Sequence, residues 1–386
     1  MPLVRTTVAD IDLDAIAANA RAVREHAGVD LIAVVKADAY GHGAEAVSEA
    51  AVDGGAAMLA VATVEEAVVL RRARPDDPIL VLLGAQSAEE RSAAVEERCA
   101  VVVWDVESAR ALAETARAKR ATAAVHFKVD TGLTRLGSPL LDAERRYREL
   151  EAIDGLRIEG VFTHLARADE ADLSTTALQL DCLDAFLGAI TPPRWVHASA
   201  SGGLLSLPTR TGMTAVRVGL ALYGLSPAPH LAGRAPLHPA LTWRSRIHRV
   251  ADVPAGTGVS YGHEYRVARD GRIATVPVGY GDGLPRAAGA RGRLLVQGSA
   301  VGIAGRVAMD HVMLDVTGRT GVKAGDDVVI IGSQGASALT VEDLADACGT
   351  INYEIVTGIR ARVPRRYLRA GQVVAYKTLA DGYARC

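Results

Sequence analysis

One feature constrains this chain more than any other. Between Leu31 and Val218, short apolar runs alternate with longer Ala/Glu/Arg stretches of helical period. The runs Leu31–Lys36, Ala57–Val61, Ile79–Leu83, Val101–Trp104, Ala124–Val129, Arg157–Phe162, Arg194–His197 and Thr214–Val218 are predicted strands. Helices are predicted over His42–Asp53, Val64–Arg72, Ser87–Glu97, Glu107–Arg120, Leu140–Ala152 and Leu173–Ile190, with Thr63 placed to cap the second and Ser87/Glu90 spaced as a capping box. The final connection, Ser201–Pro208, is short and Gly-rich. Eight strands separated mostly by helices fit an N-terminal (β/α)8 TIM-like barrel. An open doubly wound sheet gives a similar alternation, but the strand count favours the barrel.

After Pro227 the rhythm stops, and Pro, Gly and His cluster between Ser226 and Pro239. Short segments with turns follow, at Leu241–Val250, Arg272–Val278, Arg293–Val296, Val301–Ala304, Val312–Val316 and Val328–Ile331. One helix, Thr340–Ala347, has Thr340 and Asp343 in capping positions. The prediction is a barrel over residues 9–235 and a mostly β C-terminal domain over 236–386, joined by an N-terminal strand within 1–8 that includes Val4–Val8. With 386 residues, 49% of them hydrophobic, the chain is long enough to bury both cores.

A net charge of −2 gives no reason to expect nucleic acid or an anionic membrane as partner. The basic pairs Arg71-Arg72 and Arg365-Arg366 are short and lack interleaved aromatics. The cysteines Cys99, Cys182, Cys348 and Cys386 form no C-x-x-C pair, which suits neither a zinc site nor a disulfide framework and predicts reduced thiols in the cytoplasm. The start, Met-Pro-Leu-Val-Arg, has no apolar signal-peptide region, and no run approaches the roughly 18 apolar residues of a membrane helix.

In such barrels the active site lies at the C-terminal ends of the strands. Lys36 ends the first predicted strand, Arg135 lies just after the fifth, and His164, His197 and Arg217 end the sixth, seventh and eighth. Taken singly, each has a plainer reading: a surface lysine, a salt-bridging arginine, a hydrogen-bonded core histidine. Their convergence on one rim shifts the balance toward a site. A lysine desolvated at the end of an apolar strand suits Schiff-base chemistry. The glycines of Gly41-His-Gly43 and Val218-Gly219 would let backbone N–H groups approach a phosphate. Neither a P-loop nor a Gly-x-Gly-x-x-Gly fingerprint is present. Lysine, phosphate cradle and barrel together point to pyridoxal 5'-phosphate, with no metal.

The run Val-Val-Lys36-Ala-Asp-Ala-Tyr-Gly-His-Gly resembles the cofactor-lysine motif of alanine racemases, a fold-type III family of pyridoxal-phosphate enzymes. The resemblance extends through Lys128–Gly137, Arg217–Gly224, Val259–Gly262, Val276–Gly283, Gly305–Asp310, Thr350–Glu354 and Arg362–Arg365. It implies that Lys36 carries the cofactor as a Schiff base and that Tyr261 is the opposing acid/base. Tyr40, Ser201, Gly219, Leu220 and Tyr353 are implied phosphate contacts, with His197 also at the cofactor. Arg217 is implied to face the pyridine nitrogen. Arg135 and the backbone of Met309 are implied to hold the substrate carboxylate. Lys128 matches a lysine that is carbamylated in some members and braces that arginine. Tyr261, Tyr280, Met309 and Asp310 are implied to come from the partner of a head-to-tail homodimer with shared active sites. The implied activity is racemisation of alanine, supplying D-alanine for peptidoglycan.

Removing a proton from one face and returning one to the other needs two groups, and Lys36 and Tyr261 would supply them. A free phenol, with a pKa near ~10, needs neighbouring positive charge to act as a base at neutral pH, and the family places His164 beside this tyrosine. Arg217, always charged, disfavours protonation of the ring nitrogen, which limits side reactions such as transamination. The chain departs from the family pattern at Asp38 and Ala200, each in place of the usual asparagine, and at Ala308, where many members have cysteine. The alternatives are a serine or broad-specificity racemase, or a cofactor- or inhibitor-binding protein with little turnover. A fold-type III decarboxylase would not be expected to combine Arg217 with Tyr261. A metal-dependent aldolase would want a histidine partner for Cys348, which is lacking in sequence.

Overall fold

Eight parallel strands close on themselves in the computed structural model, which describes residues 5–289 and 291–386. They are Asp30–Val34, Ala56–Val61, Ile79–Val81, Ala100–Val103, Ala123–Asp130, Leu156–Phe162, Trp195–His197 and Ala215–Val218. Each strand pairs with the next in sequence and the eighth pairs with the first, so there is no open edge and the sheet is a closed barrel. Side chains alternate between its two faces. Phe127 points outward, against Tyr147 at 5.7 Å and Phe186 at 6.1 Å on the surrounding helices. Its neighbours His126 and Lys128 therefore point into the barrel, and both are buried.

The helices start where capping chemistry allows. Thr63 and Glu66 form a full capping box for Val64–Ala73, and Ser87 and Glu90 one for Ala88–Glu96. The helix predicted from His42 begins instead at Ala44, because Gly41 and Gly43 take φ of +79° and +99°. The short connection after the seventh strand holds a helix, Ser201–Ser206. A helix over Leu13–Ala27 precedes the barrel, and its buried Asn19 donates to the carbonyls of Leu222 and His238 at 3.1 and 2.8 Å.

Residues 15–39 and 44–239 form one compact unit; residues up to Asp14, 40–43 and 240–386 form the second. The second unit is mostly strand. Val8–Asp12 runs antiparallel to Leu241–Arg246 and parallel to Arg365–Arg369, and the sheet continues through Gln372–Thr378 and Gly382–Arg385. On its other side lie Asp327–Gln334, Arg293–Val296 and Ser299–Gly302. The predicted N-terminal strand at Val4–Val8 is thus displaced to Val8–Asp12, and residues 1–4 lie outside the described residues. The single strand predicted over Leu241–Val250 is two, Leu241–Arg246 and Arg249–Val253, the second belonging to a three-stranded sheet with Gly271–Val276 and Val312–Asp315. The helix predicted from Thr340 runs over Val341–Cys348, with Thr340 and Asp343 forming its capping box.

Candidate active site

Lys36 does not end the first strand, which stops at Val34; it opens a turn of unusual hand. Ala37, Asp38, Ala39 and Tyr40 have φ of 53°, 52°, 54° and 51°, all left-handed. For L-residues this conformation costs roughly 1–2 kcal/mol each. Local hydrogen bonds offset part of it. Ala37 N–H donates to Glu66 Oε1 at 2.7 Å, Ala39 N–H to Val35 O at 2.8 Å, and Ala44 N–H to Asp38 Oδ1 at 2.8 Å. An asparagine at 38 would present the same acceptor oxygen, so the substitution preserves the turn. Lys36 is half-buried. Burial pushes its pKa down, as do the charges of Arg135 and Arg217, while Glu66 acts in the opposite direction.

The fifth strand aims His126 and Lys128 inward and ends at Asp130. The Asp130 carboxylate accepts from the amides of Gly132, Leu133 and Thr134 at 3.0, 3.0 and 3.1 Å, shaping the loop that carries Arg135. Lys128 Nζ lies 5.7 Å from the Phe162 ring centroid. Burial, then Arg217 and Arg135, push its amine down to about 8.

Arg217 is the hub. It is 4% exposed. Its Nη1 donates to His197 Nδ1 at 2.5 Å; its Nη2 donates to His164 Nδ1 at 2.8 Å and Thr163 O at 3.2 Å. Its guanidinium carbon sits 4.8 Å from the Phe162 centroid. An arginine only donates, so both imidazoles must accept through an unprotonated Nδ1. Burial and the Arg217 charge lower the pKa of both, that of His164 to about 2. His164 is therefore neutral, and any positive charge acting through it belongs to Arg217. His197, predicted at the cofactor, is fully buried; its ring stacks on Phe162 at 4.6 Å and hydrogen-bonds His126 Nδ1 at 2.9 Å. Its contacts are those of a group that orients Arg217.

Ser201 opens the helix Ser201–Ser206, and Gly219 precedes the 3-10 turn Leu220–Tyr223. Ser201 Oγ accepts from Ala221 N–H at 3.0 Å, tying the two starts together and leaving the hydroxyl proton to donate. Ala200, at the N-cap, supplies no side-chain acceptor.

The remaining predicted residues lie in the strand-rich unit. Tyr40 and Tyr353 place their ring centroids 6.1 Å apart. Tyr261, Met309 and Tyr280 are exposed by 71%, 53% and 36%. Tyr280 and Met309 share one frame. Tyr280 N–H donates to Ala308 O at 3.1 Å, and Gly281 N–H to Met309 O at 2.8 Å. Arg362 bonds Met309 O at 3.3 Å and Asp310 Oδ1 at 2.7 Å, and is itself held by the buried Asp282 at 2.7 Å. Asp282 also pairs with Arg5 at 2.6 Å.

Sequence reasoning singled out neither Glu66, His126, Phe162 nor Asp282. Only Glu66 had a readable signal, the Thr63-x-x-Glu66 capping spacing. Among the described residues no group of His, Cys, Asp and Glu could hold a metal, and no helix is long and apolar enough to cross a membrane.

Comparison with known proteins places this geometry. The family model "Alanine racemase, N-terminal domain" matches residues 11–227, and "Alanine racemase, C-terminal domain" matches 240–367. The alanine racemase of Symbiobacterium thermophilum is 44% identical over 94% of this chain and 97% of its own length. That of Halothermothrix orenii is 40% identical over 95% and 97%. The crystal structure of alanine racemase from Bacillus anthracis with bound L-Ala-P superposes with a TM-score of 0.90 at 36% identity, covering 98% of this chain and 99% of that one. The enzyme from D-cycloserine-producing Streptomyces lavendulae gives 0.90 at 40% identity, over 95% and 98%. With both domains matched in order and relatives this similar along nearly the whole length, the chain belongs to the alanine racemase family of isomerases.

Proposed function

We propose that this chain interconverts L- and D-alanine with pyridoxal 5'-phosphate, supplying D-alanine for peptidoglycan in the cytoplasm. The observation that carries the reading is Arg217, buried among Phe162, His164 and His197 on the barrel rim that also bears Lys36. The donor set fits the cofactor. The charges of Arg135 and Arg217 lower the pKa of both Lys36 and Lys128 on that rim, so it favours an anionic guest. Ser201 Oγ keeps a proton to donate to a phosphate. When bound through Lys36, the cofactor acidifies the substrate α-proton.

The chain's own groups do the rest. Lys36, its amine pKa lowered, accepts or returns a proton on one face. Tyr261 of the partner subunit serves the opposite face. The exposure of Tyr261, Tyr280 and Met309 supports a head-to-tail homodimer in which these residues complete a neighbour's site. Arg135 and the Met309 backbone of the partner subunit hold the substrate carboxylate. Arg217, always charged and held by two neutral imidazoles, would face the pyridine nitrogen and disfavour its protonation. By the family resemblance, Tyr40, Ser201, Gly219, Leu220 and Tyr353 would hold the phosphate. Lys128, with a neutral fraction near pH 8, can take up carbon dioxide, losing one amine proton, and brace Arg135 as a carbamate. Tyr353, with Tyr280 of the partner subunit, narrows the pocket and favours alanine over serine.

The test is incubation of the holoenzyme with L-alanine and, separately, L-serine in deuterium oxide, following α-proton exchange and D-isomer formation. Lys36→Ala serves as control. Rapid D-alanine formation, slow serine turnover and an inactive variant are expected. Cofactor binding without conversion of either amino acid would instead identify a binding protein.

A further inference from the structure

Gly160, in the sixth barrel strand, occupies a position where a β-carbon would lie 2.4 Å from His126 Nδ1 and 2.6 Å from its Cγ. The absent side chain is what makes room for the His126 ring. This corner of the barrel carries two local costs. A glycine inside a strand weakens it. His126 is fully buried, and its Nε2 has no hydrogen-bond partner among the described residues. An unsatisfied buried donor loses its hydration with nothing in return. An apolar filler, of the kind that usually packs barrel interiors, would avoid the second cost.

What the histidine provides is Nδ1, 2.9 Å from His197 Nε2. The proton positions follow without ambiguity. Arg217 only donates, so His197 Nδ1 accepts, at 2.5 Å. The single proton of neutral His197 is then on Nε2 and donates to His126 Nδ1. The proton of neutral His126 is left on Nε2, the orphaned atom. Burial and Arg217 keep both rings uncharged, His126 being pushed down to about 3. The relay runs one way, from Arg217 through His197 to His126.

We propose that His126 is a positioning residue for the reaction: by accepting the Nε2–H of His197, it fixes the imidazole that holds Arg217. This rests on the role proposed above for Arg217. Without that acceptor, the buried Nε2–H of His197 is unsatisfied, and the ring relieves it only by turning away from Arg217. Its hydrogen bond goes to His197, so its effect on Arg217 passes through that ring.

The test uses holoenzyme labelled with 15N at histidine, as wild type, His126→Phe and His126→Gln. Phenylalanine keeps the ring shape and removes the acceptor; the glutamine carbonyl restores it. In wild type and His126→Gln, His197 should show one protonated Nε2 and one unprotonated, hydrogen-bonded Nδ1. In His126→Phe these signals should shift or broaden. Its kcat should fall about tenfold, with KM for L-alanine unchanged within about twofold and most activity recovered in His126→Gln. An unchanged His197 pattern in His126→Phe overturns the proposal, as does an altered pattern with equal impairment in His126→Gln. If His126→Phe does not fold, the His126→Gln spectrum decides: a wild-type pattern supports the relay and an altered one overturns it. A wild-type enzyme with the expected nitrogen pattern but no racemisation would overturn the proposed function separately, leaving the relay geometry intact.

Discussion

Glu66 accepts the backbone N–H of Ala37 at 2.7 Å, immediately after Lys36. Its other oxygen takes Ala62 N–H at 2.7 Å and closes the capping box with Thr63. One carboxylate thus starts a helix and holds the turn that begins with Lys36. Glu66→Gln leaves an NH2 group facing one of these donors and removes the charge that raises the Lys36 pKa. A fall of about tenfold in kcat/KM is expected, with about 1 kcal/mol lost from stability. Steady-state kinetics and urea unfolding check both, and unchanged kinetics would refute the role.

Lys128 predicts a pH dependence. Its folded-state pKa of about 8 lies below the usual lysine value of 10.5. Between these values the unfolded chain binds more protons, so stability should rise as pH increases through that window, by at most about 3 kcal/mol. Lys128→Met should remove the rise. Bicarbonate labelled with 13C should give a carbamate signal in wild type and none in the variant.

His164 should not titrate between pH 5 and 9, because Arg217 occupies its Nδ1 and its pKa lies near 2. Histidine NMR across that range checks this. His164→Gln, which keeps an acceptor for Arg217, should retain about tenfold more activity than His164→Leu.

Ala200 sits at the N-cap of Ser201–Ser206 with φ −88° and ψ −167°, an extended geometry suited to a capping side chain. Ala200→Asn should stabilise the protein by about 1 kcal/mol in chemical denaturation. A destabilised variant would show that the site has no room for the side chain.

Arg365 is buried and gives all its donors to backbone carbonyls: Gly41 at 3.0 and 2.9 Å, Ile359 and Arg360 at 2.6 Å, and Val363 at 2.7 Å. Arg365→Lys keeps the charge but cannot reach this set. A loss of about 3 kcal/mol is expected, read as a lower denaturation midpoint.

The barrel was legible because strands such as Ala100–Val103 are apolar on both faces and helices such as Ala88–Glu96 carry their caps in sequence. The helix Leu13–Ala27 and the C-terminal strands Arg365–Arg369, Gln372–Thr378 and Gly382–Arg385 were not predicted; charged residues interrupt the alternation in those strands. At the site, strand ends picked out Lys36, Arg217 and His164. They did not show that His197 and His126 stand in series behind Arg217, because that depends on cross-strand register and on Gly160 vacating space. The left-handed turn was equally hidden: Ala37, Asp38, Ala39 and Tyr40 have no local signal for it, and its supports come from Glu66 and Ala44.

That turn leaves L-residues where their enantiomers would rest more easily. A chain assembled by ligation with D-alanine at 37 and 39 would meet φ values of 53° and 54° without the steric penalty of roughly 1–2 kcal/mol per residue. The backbone beside Lys36 therefore favours, at two alanine positions, the mirror form of alanine that the proposed reaction makes from the L form.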